Sequence, residues 1–360
     1  PELAAGTYRV IVVANGARRF EIKEKVGTRD VVTVDYFLEP SVYSRYQSTV
    51  RGELNRQEIS RQVLSTEELS KMPGTFGDAL RAIENLPGVA RAPFSSGLII
   101  VRGARPTDSR VFLGAMEVPQ LYHFGGLRSI IPTELVDRVE FMPGNFGVRY
   151  GRSIAGVIDM EVKEGKRDRV HGSGETNAFD TGLVVQGPVG KGSFVLAVRR
   201  SYIDAIVAVA LPKDQGLSFS SAPVYYDYQA QLDYPLWGGK FRAQWTGSDD
   251  QLKLAFDRPQ DNDPVLTAFG THLWFHKLQL RWTKTIGDWS LLAQVSNGFT
   301  GQSGQVGRNL NFGFWSFNSE WRVEARYSYS KKMKILVGVE GIYARINLRA
   351  NIPPPPREDR

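Results

Sequence analysis

Four histidines and no cysteine bound the chemistry open to this 360-residue chain. Without cysteine there is no disulfide framework, no thiolate metal site and no thiol nucleophile. His272 and His276 stand four apart, the spacing at which a helix shows two metal ligands on one face. The run around them alternates instead: Trp274, His276, Leu278, Leu280 and Trp282 against Lys277, Gln279, Arg281 and Thr283. That is strand spacing and it puts His276 on the apolar side, so a structural histidine is expected rather than a ligand. No His-Glu-x-x-His, Gly-x-Ser-x-Gly or Gly-x-x-x-x-Gly-Lys pattern occurs. The expectation is a protein that is not an enzyme, with no catalytic residue, no metal site and no cofactor.

The charge points the same way. A net charge of +7 is spread along the chain without a Lys/Arg block, so no nucleic-acid partner is expected. No run of ~18 apolar residues exists, so no transmembrane helix is encoded. The chain opens inside a strand-like pattern, and any export signal is expected upstream of it.

The elements that must position these residues fall into zones. Residues 1–40 read as a strand meander: a β-branched run at 7–13, a hairpin signal at Asn15-Gly16, alternation over 20–25 and a further strand over 31–38. Residues 41–64 are polar and aperiodic, a linker. Residues 65–165 form an α+β unit. In it Ser65 and Glu68 make a capping box, Thr75 caps a second helix through Leu86, and Pro87-Gly88 stops that helix. Strands follow over 98–102, 110–113, 117–118, 136–142 and 155–162, with a short helix opening at Pro132.

From about residue 166 long strands alternate strictly. Val224, Tyr226, Tyr228, Ala230, Leu232, Tyr234 and Leu236 share one face, and Tyr225, Asp227, Gln229, Gln231 and Asp233 the other. The same holds for Trp289, Leu291, Ala293 and Val295, and for Trp315, Phe317, Trp321, Val323, Ala325 and Tyr327. Strands longer than ~9–11 residues with aromatics at the ends of the apolar face predict a transmembrane barrel rather than a soluble sandwich. Short connections at 187–192, 237–240, 286–288 and 330–332 alternate with long ones at 204–222, 257–269 and 301–311, as periplasmic turns alternate with extracellular loops. About nine strands fit in 166–360. An odd count does not close such a barrel, so the expectation is mainly β: an α+β domain and the N-terminal portion of a large antiparallel transmembrane barrel.

Several motifs carry a family resemblance. Residues 69–89 (LSKMPGTFGDALRAIENLPGV) resemble the opening helical region of the TonB-dependent receptor plug. Ile100-Val101-Arg102-Gly103 resembles its Ile-Arg-Gly strand, residues 112–119 its hairpin, and residues 136–158 (VDRVEFMPGNFGVRYGRSIAGVI) its last strands. The pieces occur in the family's order. Met142 stands where relatives have a basic residue, so no ion pair is carried over to that position. Residues 1–40 resemble the end of the carboxypeptidase-regulatory-like β-sandwich that precedes the plug in some members.

The resemblance implies that the α+β domain is a plug domain inside the barrel portion. It implies an outer-membrane receptor of a Gram-negative bacterium, importing a scarce nutrient such as a metal chelate, peptide or glycan. It also implies partners: the periplasmic protein TonB with its inner-membrane energising complex, outer-membrane lipid and a small ligand. The other reading is a receptor-like barrel serving as an adhesin or scaffold beside other surface proteins, without import. Strand addition to TonB needs an extended, reachable segment, and Gln47, Ser48, Thr49, Val50, Arg51 and Gly52 are the candidates. Tyr122, His123, Phe124 and Arg128 are candidates for a substrate-binding plug apex, or for packing against the wall. Glu320, Glu324 and Glu340 read as lumen-facing acids, with Arg322 and Arg326 beside them. At least one of the plug arginines Arg102, Arg138 and Arg149 is expected to reach one of those glutamates.

Overall fold

The computed structural model describes residues 4–14, 19–28, 33–36, 61–75, 77–91, 98–126, 128–205, 217–256, 268–307, 310–330 and 333–351. They fall into two units, Pro1–Arg56 and Gln57–Arg360. In the first, β1 (Gly6–Val12) pairs antiparallel with β2 (Phe20–Val26), Val10 opposite Ile22. The strand expected over 31–38 is not seen at residues 33–36, which carry no regular structure; its other positions, and residues 47–52, lie outside the described residues.

The second unit begins with β3 (Gln62–Ser65) and α1 (Thr66–Lys71). The expected capping box is present: the Ser65 hydroxyl accepts from the Glu68 amide, and the Glu68 carboxylate takes the Ser65 amide at 2.8 Å. The second helix departs from expectation. It is a 3-10 helix, Ala79–Asn85, and its cap is Asp78 rather than Thr75. The Asp78 carboxylate accepts from the Leu80 amide at 3.0 Å and also takes the Ser129 hydroxyl at 2.9 Å, so one side chain caps the turn and ties down a distant segment.

Five strands form the plug sheet, in the order β3, β8 (Val136–Met142), β9 (Val157–Val162), β6 (Arg110–Leu113) and β7 (Met116–Val118). β6 and β9 run parallel; the other pairs are antiparallel. β4 (Val89–Arg91) and β5 (Ile99–Val101) make a separate pair. Leu69, Leu80, Ile83, Val101, Leu113, Met116, Val139, Phe141 and Met160 fill the core between helices and sheet. The β6–β7 turn places Gly114 and Ala115 at positive φ, +57° and +67°, the geometry of a two-residue hairpin.

A nine-stranded sheet follows: β10 (His171–Thr176), β11 (Asp180–Val189), β12 (Gly192–Ser201), β13 (Leu217–Leu236), β14 (Gly239–Phe256), β15 (Ala268–Ile286), β16 (Trp289–Val306), β17 (Leu310–Ser330) and β18 (Met333–Asn351). Each strand pairs antiparallel with the next, and among the described residues β10 and β18 are free edges. Tyr225, Asp227, Gln229, Gln231 and Asp233 are buried on one face, whereas Tyr226 and Leu232 on the other are exposed. The alternation read in the sequence is therefore the division between lumen and exterior.

Two connections differ from expectation, the first being the loop expected over 204–222, which is already strand from Leu217 in β13. The long loop expected over 301–311 is instead strand, since β16 and β17 stay paired up to Val306 opposite Leu310. Its glycines belong to the ladder. Gly301 seats the Trp274 ring and Gly304 the Phe312 ring, where a Cβ would collide with the aromatic. The ladder continues because polar side chains cost nothing beyond the apolar band.

Candidate functional site

The plug side chains that expectation aimed at a ligand turn inward. Tyr122 is buried, and its hydroxyl donates to the Leu80 carbonyl at 2.7 Å. Arg128 is 3% exposed and held by Asp180 of β11 at 3.1 Å and Glu175 of β10 at 2.9 Å. His123 is fully enclosed and stacks on Tyr225 with ring centroids 3.9 Å apart. The Phe124 amide donates to Asp250 at 3.1 Å. Of the expected apex residues, His123, Phe124 and Arg128 thus meet the wall, while Tyr122 bonds within the plug. A short loop carrying aromatic rings and a cation finds more partners against a polar wall than in water.

Around His123 the wall supplies charge. Its Nε2 lies 2.9 Å from Asp227 of β13 and its Nδ1 2.7 Å from Asp250 of β14. Arg199 of β12 pairs with Asp227 at 2.7 Å and donates to the Ser129 carbonyl. Burial opposes protonation of His123, but Asp250 and Asp227 outweigh it, and its pKa is raised.

Along the rest of the interface wall side chains grip plug main chain. Gln229 donates to the Ile130 carbonyl at 2.8 Å, Gln231 to Lys163 at 2.9 Å, Gln279 to Gly114 at 2.8 Å and Gln294 to Ala115 at 3.0 Å. Lys277 donates to the Glu117 carbonyl at 2.7 Å and pairs with Glu320 at 2.7 Å. Arg281 pairs with Glu161 at 3.0 Å.

The expected arginine contact takes a specific form. Arg149 Nη2 lies 3.1 Å from Glu324 Oε2. Arg138 instead pairs with Glu140 at 3.4 Å and Asp137 at 3.8 Å, its own neighbours. Arg102 has left-handed backbone, φ 52°, and its guanidinium lies against Gly144 of the plug. Glu340 meets Arg322 at 2.8 Å and the plug's Arg152 at 3.9 Å. His272 pairs with Asp249 at 2.9 Å, and His276 with the Tyr228 hydroxyl at 2.6 Å. Among the described residues no cluster of potential metal ligands occurs.

The residues that sequence reasoning did not assign are Asp180, Asp250 and Arg199, together with the glutamines' role. Their signal was present: each lies at a lumen-facing position of an alternating strand, where a polar side chain has only the plug to meet.

The family model described as the TonB-dependent Receptor Plug Domain matches residues 53–157. Residues 53–157 therefore form a plug domain of the kind that TonB-dependent receptors carry. No curated protein matches it. Among solved structures, the ferric enterobactin receptor PfeA of Pseudomonas aeruginosa is similar at 15% identity and a TM-score of 0.55, over 81% of this chain and 50% of that one. The pyoverdine outer membrane receptor FpvA of the same organism is similar at 11% identity and a TM-score of 0.59, over 81% of this chain and 47% of that one. The chain thus spans about half the length of these receptors. The shared fold is a plug domain set against an antiparallel barrel wall.

Proposed function

We propose that this chain belongs to a TonB-dependent receptor that imports a scarce small nutrient across the outer membrane. The observation that carries the reading is how the plug is held. Every wall strand from β10 to β18 gives it at least one polar or ionic contact, from Arg128–Glu175 on β10 to Arg152–Glu340 on β18. Many such bonds, each modest once desolvation is counted, seat a plug firmly and still let force part them in sequence. A ferric chelate is a fitting cargo class, because PfeA is a ferric enterobactin receptor and FpvA a pyoverdine receptor.

TonB would supply the force by strand addition, with residues 47–52 as the segment it takes. Uptake of labelled ferric chelates by cells carrying the full-length protein tests this. Uptake that stops when the proton gradient is collapsed supports the reading. If no accumulation above receptor-free cells is seen for chelates, peptides or glycans, the adhesin or scaffold reading replaces it.

A further inference from the structure

His123 stands where two wall strands meet the plug, with no solvent exposure. Each ring nitrogen faces a carboxylate, Asp227 at 2.9 Å and Asp250 at 2.7 Å. A neutral imidazole has one N–H, so it satisfies one carboxylate and turns a lone pair toward the other. Only the imidazolium donates to both. The charge count agrees. Arg199 is the second cation, 2.7 Å from Asp227, so two carboxylates meet two cations while His123 holds its extra proton. Loss of that proton leaves one buried negative charge without a counterion.

The groups facing His123 come from every element packed on it. β12 gives Arg199, whose Nη2 lies 3.4 Å from the His123 Nε2 and alone among these groups opposes the extra proton; β13 gives Asp227 and the stacked Tyr225, and β14 gives Asp250 and Ser248. The Tyr225 hydroxyl is itself engaged by Asp180, which also holds Arg128. From the plug, the Gln120 amide at 3.2 Å and the Phe124 backbone N–H at 3.1 Å also donate to Asp250. The plug segment from Gln120 to Phe124 thus depends on one wall carboxylate, whose charge His123 balances.

We propose that His123 is a proton-operated latch: as imidazolium it clamps the plug segment Gln120–Phe124 to β13 and β14, and on losing the proton it loosens that segment. The protein then carries a plug fastening that loosens as pH rises, separate from the Arg149–Glu324 contact. The proposal concerns how the plug is held and stands whether or not the full protein imports.

Hydrogen exchange of the full-length protein in detergent, without cargo or TonB, tests it from about pH 6 to pH 10, with rates corrected for intrinsic exchange. In the native protein, protection of peptides covering 120–124 is expected to fall about tenfold or more across one pH step, the scale of a lost charge-assisted bond. In His123→Gln it is expected to be low throughout and to show no step. In Asp250→Asn the step is expected at lower pH, because one carboxylate fewer holds the proton. Peptides covering 136–142 report whether each variant's plug is folded. If His123→Gln fails that check, the native titration and Asp250→Asn decide the matter. Flat native protection over this range, an unmoved step in Asp250→Asn, or an equal step in a folded His123→Gln overturns the latch.

Discussion

Arg149 of the plug reaches Glu324 of β17, Nη2 to Oε2, at 3.1 Å. Glu324 is also 3.6 Å from Arg322, so removing Arg149 leaves the acid with a partner. The pair borders a cavity of about 460 Å³ lined by Arg149 of the plug and by wall residues that include Lys240, Ser290 and Arg326. A double-mutant cycle with Arg149→Ala and Glu324→Ala is expected to give a coupling of about 1 kcal/mol in plug unfolding by denaturant. A coupling indistinguishable from zero would show that the two only lie side by side.

Asp159 gives the plug a pH dependence of its own. It is enclosed on β9, accepts from the Tyr150 hydroxyl at 2.7 Å, and has its pKa raised by burial. A raised folded pKa means that the folded plug binds the proton more tightly than the unfolded chain does. The associated stability is present below the ordinary value of 3.8 and is lost as pH rises through the folded value. Asp159→Asn keeps an acceptor for Tyr150 and removes the buried charge. The variant plug should withstand more denaturant than the native one at neutral pH, with the advantage vanishing in acid. A less stable variant at neutral pH would contradict this.

Gly114 has two reasons to be glycine. Its φ is +57°, and a Cβ would sit 2.8 Å from Arg281 Nη1. Gly114→Ala is expected to cost the plug about 1 kcal/mol or more, from left-handed strain together with a displaced Arg281. The Arg281 ion pair with Glu161 should weaken with it. An unchanged denaturation midpoint would mean that the hairpin relaxes freely.

Val50→Pro removes a main-chain donor from the proposed TonB-binding segment. Uptake by the full-length variant should fall to the receptor-free level, with unchanged amounts of folded protein in the outer membrane. Normal uptake would place the coupling strand elsewhere.

The wall was legible because a two-residue period with aromatics at its ends has few other meanings, and Tyr225 to Tyr234 divide between lumen and exterior as that period requires. The plug was legible through ordered motifs and the Ser65–Glu68 cap. What escaped was partner choice. Alternation tells that Glu320 and Glu324 face inward, but only the packing of the chain decides that Lys277 takes the first and Arg149 the second. The same limit hid His123, since nothing local to residues 121–128 reveals that two aspartates wait on strands more than 100 positions away. Glycine was the other blind spot. Gly301 and Gly304 read as loop and are in fact seats for rings.

The wall glutamines carry a consequence for how this receptor can diversify. Gln229, Gln231, Gln279 and Gln294 recognise carbonyls of Ile130, Lys163, Gly114 and Ala115, atoms that every amino acid possesses. Side-chain changes at Ile130 and Lys163 leave those handholds in place, Gly114 being held to glycine by its backbone. Descendants can therefore rewrite much of the plug's surface without re-inventing the socket that receives it.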